Sequence, residues 1–274
     1  MSHVKPFVRV ILLIVCFSAL ALLLCSCFAF PDHEVIIMEN IWNKAQIYLD
    51  RICPQKGLVI DSVYYAFKSN CYRVEVSSPG SIDSSFYLDY DLDTYELQWD
   101  GYEHQVLSGE NTYNRLVQEY NAVVEDAFGG IDGLLHVRGE LCKYSETENL
   151  GKYFSPHGLV MKDLILDHAY NMEDIGRKYG YIEVTVQDDI LSADRCLERL
   201  LQIHDELTQR DADYYVIALS LEHVSSEKEK ESFEIYGITQ EDLFCEDPLT
   251  RLQQMWTEQE AHRQAVKAEW DKTS

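Results

Sequence analysis

LVIDSVYYAFKSNCYRVEVSSPGSIDSSFYLDYDLDTYELQWD, residues 58–100, reads as strand and turn in alternation. The strand-like runs are Leu58–Lys68, Cys71–Ser77, Ser84–Tyr90 and Tyr95–Val106, rich in the β-branched and aromatic residues that suit a pleated surface. Turn residues part them: Ser69-Asn70, Pro79-Gly80 and Asp91–Asp93. Val63, Tyr65 and Phe67 share one face of the first run, and Tyr72, Val74 and Val76 one face of the next. Links this short exclude parallel neighbours, which need a crossover of a dozen or more residues. The stretch is therefore expected to be an antiparallel meander.

Amphipathic helices flank it. Upstream, Val35, Met38, Ile41, Trp42, Ala45, Tyr48, Leu49 and Ile52 form one stripe, stopped by Pro54 and Gly57. Downstream, the spacing predicts a helix over about 111–128 with Tyr113, Leu116, Val117, Tyr120, Val123, Val124, Ala127 and Phe128 inward, stopped by Gly129-Gly130. Helix, sheet and helix make a self-contained α+β layer that resembles cystatin-like arrangements. Beyond a weakly patterned junction come a short helix over Met172–Tyr179, a strand Tyr181–Gln187 and a helix Ala193–Arg210 capped by Ser192. Leu197, Leu200, Leu201, His204 and Leu207 are expected to line that last helix. A strand Tyr214–Val224, a charged loop, a paired strand near Ser232–Tyr236 and a helix opened by Asp247-Pro248 complete the chain. The fold class expected is α+β, with two small domains: 33–130, a junction at 131–157, 158–247, and a C-terminal helix at 248–274.

The first thirty residues carry only Lys5 and Arg9 as charged side chains, and Val10–Phe30 is an uncharged, almost wholly apolar run. Basic flank, apolar run and small residues with cysteine have the layout of a secretory signal. Leu24-Cys25-Ser26-Cys27 resembles a lipoprotein lipobox, although Cys25 is bulkier than the residue usual there. On that resemblance residues 1–26 are a signal peptide and Cys27 carries the lipid, more than one chain being needed for stable anchoring. The alternative is an uncleaved membrane anchor over residues 10–30. Both leave Lys5 and Arg9 in the cytoplasm and everything from about residue 31 outside.

The 274-residue chain has 23 Lys+Arg against 47 Asp+Glu, a formal net charge of −24 that becomes −26 without Lys5 and Arg9. Phosphate backbones would repel such a body, which argues against nucleic acid as a partner. An anionic membrane surface would repel it as well, so the anchor must supply attachment. Cysteines at 16, 25, 27, 53, 71, 142, 196 and 245 show neither CxxC spacing nor a Cys/His cluster, so no metal site is expected. They read mainly as small buried hydrophobes, with Cys53–Cys71 the one pair that helix-to-strand packing could bring together.

Few residues point to chemistry. Asp89, Asp91, Asp93 and Glu96 resemble the start of a calcium loop, but Thr94 stands where such a loop needs glycine. A turn with solvated acids explains the spacing. No HExxH, GxSxG or phosphate loop occurs, and no cofactor is expected. His204 is expected in the core. Tyrosine is abundant, at 18 residues, and Tyr64, Tyr65, Tyr72, Tyr87, Tyr90, Tyr95 and Tyr102 load the first sheet. Sheet packing accounts for most of these rings. Tyr64 and Tyr87, on the face away from the helices, are the candidate binding residues, since a tyrosine offers an apolar ring and a polar tip.

Asp61–Lys68, Ser85–Asp91, Leu107–Leu116, Lys178–Val186 and Tyr215–His223, in this order, resemble the YfjL-like proteins. These are membrane-anchored or lipoprotein-type chains of Gram-positive bacteria with an N-terminal and a C-terminal domain. The resemblance implies two domains and a cell-envelope address, and offers no functional residues. A non-enzymatic envelope lipoprotein that binds another protein or a small ligand is the function expected. The rival is a surface hydrolase using paired carboxylates, recognisable by a concave pocket where two acids converge.

Overall fold

A computed structural model describes residues 31–52, 57–146, 153–224 and 230–273. The expectations for residues 1–30, Cys27 among them, and for Cys53 fall outside these. Among the described residues no helix is long and apolar enough to cross a membrane. The chain divides into two compact units at Val106/Leu107. It is α+β, with an antiparallel sheet in the first unit and a mixed sheet with helices in the second.

In the first unit α1 (Pro31–Ile52) buries Ile41, Ala45 and Leu49, one turn apart along a single stripe. It covers a meander of β1 (Val59–Ala66), β2 (Cys71–Ser78), β3 (Ser81–Tyr90) and β4 (Leu97–Asp100) in that spatial order. One register row reads Val63, Val74, Leu88, Asp100 across the four strands and faces the helix. The Tyr48 hydroxyl donates to Asp100 at the end of that row, and Lys44 Nζ donates to the Tyr95 carbonyl at 2.8 Å. Turns fall where expected; at the first, Asn70 takes a positive φ of 51°, which asparagine tolerates.

The fourth strand is shorter than its alternation suggested. Instead of running from Tyr95 to Val106 it ends at Asp100, and Tyr102–Leu107 forms a π-helical turn. Gly101 makes the break possible, because a Cβ there would lie 2.2 Å from the Tyr87 carbonyl oxygen. The Gln105 side chain then accepts the Tyr87 N–H at 3.3 Å, where a continued β4 would have supplied a carbonyl.

The second unit contains α2 (Glu110–Ala127), β5 (Leu134–Leu141), the short parallel pair β6 (Lys143–Tyr144) and β7 (Phe154–Ser155), α3 (Met172–Tyr179) and β8 (Gly180–Gln187). It continues through α4 (Ala193–Gln209), β9 (Val216–Val224), β10 (Lys230–Ile238), α5 (Gln240–Leu243) and α6 (Pro248–Thr273). Its main sheet has the order β10-β9-β8-β5. β8 and β9 are parallel, joined through α4, and the outer pairs are antiparallel.

Three expectations are corrected here. The helix after the meander belongs to this unit, so the boundary lies at Val106/Leu107 and not within 131–157. Its Leu116, Tyr120 and Val124 join one core with Ile182, Leu200 and Leu219. The strand that it covers, β5, begins seven residues after it ends, and the Arg138-Gly139-Glu140 segment hid that strand in the pattern. The α4 stripe is rotated: Cys196, Leu200, Ile203 and Leu207 are buried, while His204 sits half-buried at the margin against Tyr214 and Phe244. The last helix is not a separate part, since Leu252 and Met255 enter the same core. Ser192 and Asp247 do cap α4 and α6, accepting the N–H groups of Arg195 and Thr250.

Candidate functional site

The period of two along β1–β4 sends a second set of side chains to the face away from α1. One outer row is Tyr64, Arg73, Asp89, Trp99 and the next is Ser62, Glu75, Tyr87. Tyr64 and Tyr87 therefore share one face. They are linked through the two charged residues of β2 that lie between them.

Arg73 grips Asp89 with a two-pronged contact, Nε to Oδ1 and Nη2 to Oδ2, both 2.8 Å. Its guanidinium carbon also lies 3.8 Å from the centre of the Tyr87 ring, a cation–π stack. Glu75 accepts from Ser62 Oγ at 2.8 Å and from the Tyr64 hydroxyl at 3.0 Å. Burial first, and the Glu75 carboxylate second, hold the Tyr64 hydroxyl above the ordinary tyrosine range. The hydrogen bond to Asp89 does most to keep Arg73 charged. Trp99 stacks on His104 with 4.2 Å between ring centres. Tyr64 is 37% and Trp99 39% exposed, so both rings offer area to a partner while their surroundings are fixed.

The other sheet tyrosines have other roles. Tyr90 and Tyr102 are in the core, and Tyr65, Tyr72 and Tyr95 form a chain of tilted rings 6.1 Å apart. Reading outward-facing positions only as tyrosines overlooked Arg73, Glu75 and Trp99. The alternation Tyr72-Arg73-Val74-Glu75-Val76 already carries the signal for two of them.

The acidic run at 89–96 is divided between two jobs. Asp89 belongs to Arg73. Asp91 Oδ1 accepts from the N–H groups of Asp93 and Thr94 and from Thr94 Oγ1, and its Oδ2 accepts from Gln98. The bonds from Thr94 and then Asp93 hold the Asp91 carboxyl below its ordinary value. Turn chemistry thus explains the spacing. Among the described residues no group of His, Cys, Asp or Glu is placed to hold a metal ion.

The second unit has an outer face of its own. Ile182, Val184 and Val186 of β8 point into the core, and Tyr181, Glu183 and Thr185 point away from it. With Ala218, Ser220 and Glu222 of β9 and Glu234 and Tyr236 of β10 they line a trough of about 440 Å³. The Tyr153 hydroxyl donates to Glu183 Oε2 at 3.1 Å, and Ser232 Oγ to Glu234 Oε1 at 3.1 Å. Arg263, from α6, brings Nη1 to 4.0 Å from Glu234 Oε2. Ser220 Oγ and Arg263 Nη1 are buried without a hydrogen-bond partner.

No family model matches the chain, and no curated protein or solved structure matches it either.

Two of the buried acids meet arginines. Asp89 pairs with Arg73, and Asp188 takes Arg195 Nε at 2.8 Å and Arg199 Nε at 2.9 Å on a single oxygen. Each is an ion pair that ties one strand to its neighbour in sequence or in the sheet. Two histidines are also engaged: His204 Nδ1 lies 3.3 Å from the Tyr214 hydroxyl and His223 Nδ1 3.4 Å from Asp189 Oδ1.

Proposed function

We propose that this is a membrane-tethered, extracytoplasmic, non-enzymatic binding module of the YfjL-like kind. Its contact surface is the outer face of the first sheet, and its partner is another envelope protein. The first unit, a helix across an antiparallel sheet, is read as the cystatin-like part. The observation that carries the binding reading is the Tyr64–Glu75 and Arg73–Tyr87 lattice. Tyrosine, tryptophan and arginine are the side chains that dominate protein interfaces, and here the Tyr64 hydroxyl and the Arg73 guanidinium are already satisfied within the chain. A partner can cover the rings without stranding a charge, and little side-chain freedom is left to lose. The tether reading rests on Lys5, Arg9, the apolar run to Phe30 and the Leu24–Cys27 lipobox.

Two experiments test this. A photo-crosslinking amino acid at Ser85, two residues before Tyr87 on β3, should give a discrete adduct when the full chain is expressed in a Gram-positive cell. Tyr64→Ala or Tyr87→Ala should weaken that adduct several-fold. Equal adducts from a crosslinker at the exposed Ile190 of the second unit would remove the assignment. For the tether, Cys27→Ala should abolish labelling by a fatty-acid analogue and leave a larger precursor. Labelling that persists would remove the lipobox and leave the spanning helix.

A further inference from the structure

We infer that the outward face of α1 is a parallel dimer seam whose occupant is the same helix of a second copy of this chain. The inference rests on the tether reading and leaves the outer face of the first sheet open.

The helix has two faces. Ile41, Ala45 and Leu49 are buried on one, and the opposite side carries Ile36, Asn40, Asn43 and Ile47. All four are exposed, Ile36 at 65% and Ile47 at 70%. An exposed isoleucine is ordinary when it stands alone, but these two belong to a spaced set. The steps of four, three and four residues are the a and d spacing of a coiled-coil seam. Asn40 and Ile47 then take a positions, and Ile36 and Asn43 take d positions. A polar asparagine at an a position specifies register, because it pairs with its own copy across the axis. In-register pairing stacks four layers, each residue meeting itself.

Charge and chain direction select the parallel arrangement. Glu39 and Lys44 stand at the flanking g and e positions, where a parallel pair sets Glu39 of one copy opposite Lys44 of the other. Lys44 gives one N–H to the Tyr95 carbonyl and another toward Glu96, which leaves its third for Glu39 of the second copy. α1 starts at Pro31, four residues after Cys27 and directly after the apolar run. Two tethered copies therefore hold the same end of α1 at the membrane, and their helices meet in the same direction. Two isoleucine layers make a thin contact for free solution, where association must overcome lost translation and rotation. Chains held at one surface have a high effective concentration for each other, and a thin contact then suffices. The order sheet, helix, helix, sheet leaves both Tyr64–Tyr87 faces pointing outward, so the dimer presents two of them to a partner.

Disulfide trapping tests the seam in membranes holding the full chain, with Cys245→Ser as the parent to remove the exposed native thiol. Asn40→Cys added to that parent should give, on mild oxidation, at least fivefold more disulfide-linked dimer than the parent alone. Lys68→Cys, at the exposed turn between β1 and β2, should stay at the parent level. Ile36→Asp combined with Ile47→Asp should cut the Asn40→Cys dimer at least fivefold, and Glu39→Lys about threefold. These three side chains are exposed, and circular dichroism of each variant checks that the fold survives the change. A dimer yield at Asn40→Cys no higher than that of the parent or of Lys68→Cys would overturn the inference. A yield indifferent to the two aspartates would overturn it as well. Fractionation of the same cells reports on the tether separately. Failure to crosslink in the membrane fraction overturns the seam alone, whereas chain found in the soluble fraction overturns the tether and the seam together.

Discussion

Gln259 holds both backbone groups of Tyr236: its Nε2 donates to the Tyr236 carbonyl at 2.7 Å, and its Oε1 accepts the Tyr236 N–H at 3.2 Å. β10 is the edge of its sheet, and an unpaired edge is a template for pairing with another chain. The glutamine amide takes the place of the missing strand at one position. One turn before it, Trp256 stacks on Phe233 at 5.2 Å, which fixes the helix against the edge. Gln259→Ala is expected to cost about 1–2 kcal/mol in urea unfolding, the usual range for two lost hydrogen bonds to backbone. It should also speed hydrogen exchange at the Tyr236 amide. Unchanged exchange there would mean that the side chain is not what protects the edge.

Much of the fold was legible where pattern and punctuation agreed. The meander followed from alternation plus Ser69-Asn70 and Pro79-Gly80, and α4 from Ser192 and a 3.6-residue period. The misreadings have physical causes. Tyr102 and Val106 continue an apparent alternation, yet Gly101 lets the chain turn away, a close approach that pattern alone does not reveal. α2 is amphipathic whichever sheet it covers, so its stripe could not say to which unit it belonged. Ile203 and His204 are adjacent, and a small shift in helical phase decides which of them is inside. The trough was invisible because it is assembled from alternate residues of three strands whose partners the sequence does not name.

Asp188 gives the chain an acid-sensitive joint. Its side chain is 4% exposed and lies between the end of β8 and the first turns of α4. Burial alone would push the carboxyl up, but hydrogen bonds from Arg199, the Ile190 amide and Arg195 outweigh it and hold the group below its ordinary value. A folded carboxyl that titrates below its unfolded value of about 3.9 contributes stability that is fully present above about pH 5. That contribution is lost as the pH falls through the folded value. Asp188→Asn should therefore cost about 2 kcal/mol at neutral pH, a figure discounted because Arg195 is a third exposed. Its stability curve should also be flatter than wild type below about pH 4. Parallel acid limbs for the two proteins would show that Asp188 is not the titrating group.

The four cysteines described should separate cleanly in reactivity. Burial pushes the Cys142 thiol up to about 11 and the Cys196 thiol up to about 12. Cys71 is raised by burial and then by Asp89. Cys245 is exposed. Since the thiolate is the nucleophile, a thiol near 11 is ionised to about one part in a thousand at pH 8, before burial blocks access further. Iodoacetamide at pH 8 followed by peptide mapping should mark Cys245 within minutes, and the other three only in denaturant. Rapid native labelling of Cys196 would mean that α4 opens far more readily than its packing implies.

Gly176 sets two principles against each other. It lies inside α3, where glycine is worse than alanine by about 1 kcal/mol, so helix propensity alone expects Gly176→Ala to stabilise. Packing says the opposite. A Cβ at this position would stand 2.2 Å from the Asp213 carbonyl oxygen and 2.7 Å from Cε2 of Tyr120. Neither can move freely, because the Tyr120 hydroxyl donates to that same carbonyl at 2.8 Å and the ring is fully buried. Forcing a methyl group into such a site costs about 1–3 kcal/mol and more where backbone must shift, so the clash outweighs the propensity gain. Gly176→Ala is expected to lose about 2 kcal/mol net in thermal or urea unfolding. Gly80→Ala, at a turn with nothing within 4 Å, should stay within about 0.5 kcal/mol of wild type. A stabilised Gly176→Ala would mean that α3 does not approach Asp213 this closely, and that the Tyr120 contact is looser than its hydrogen bond requires.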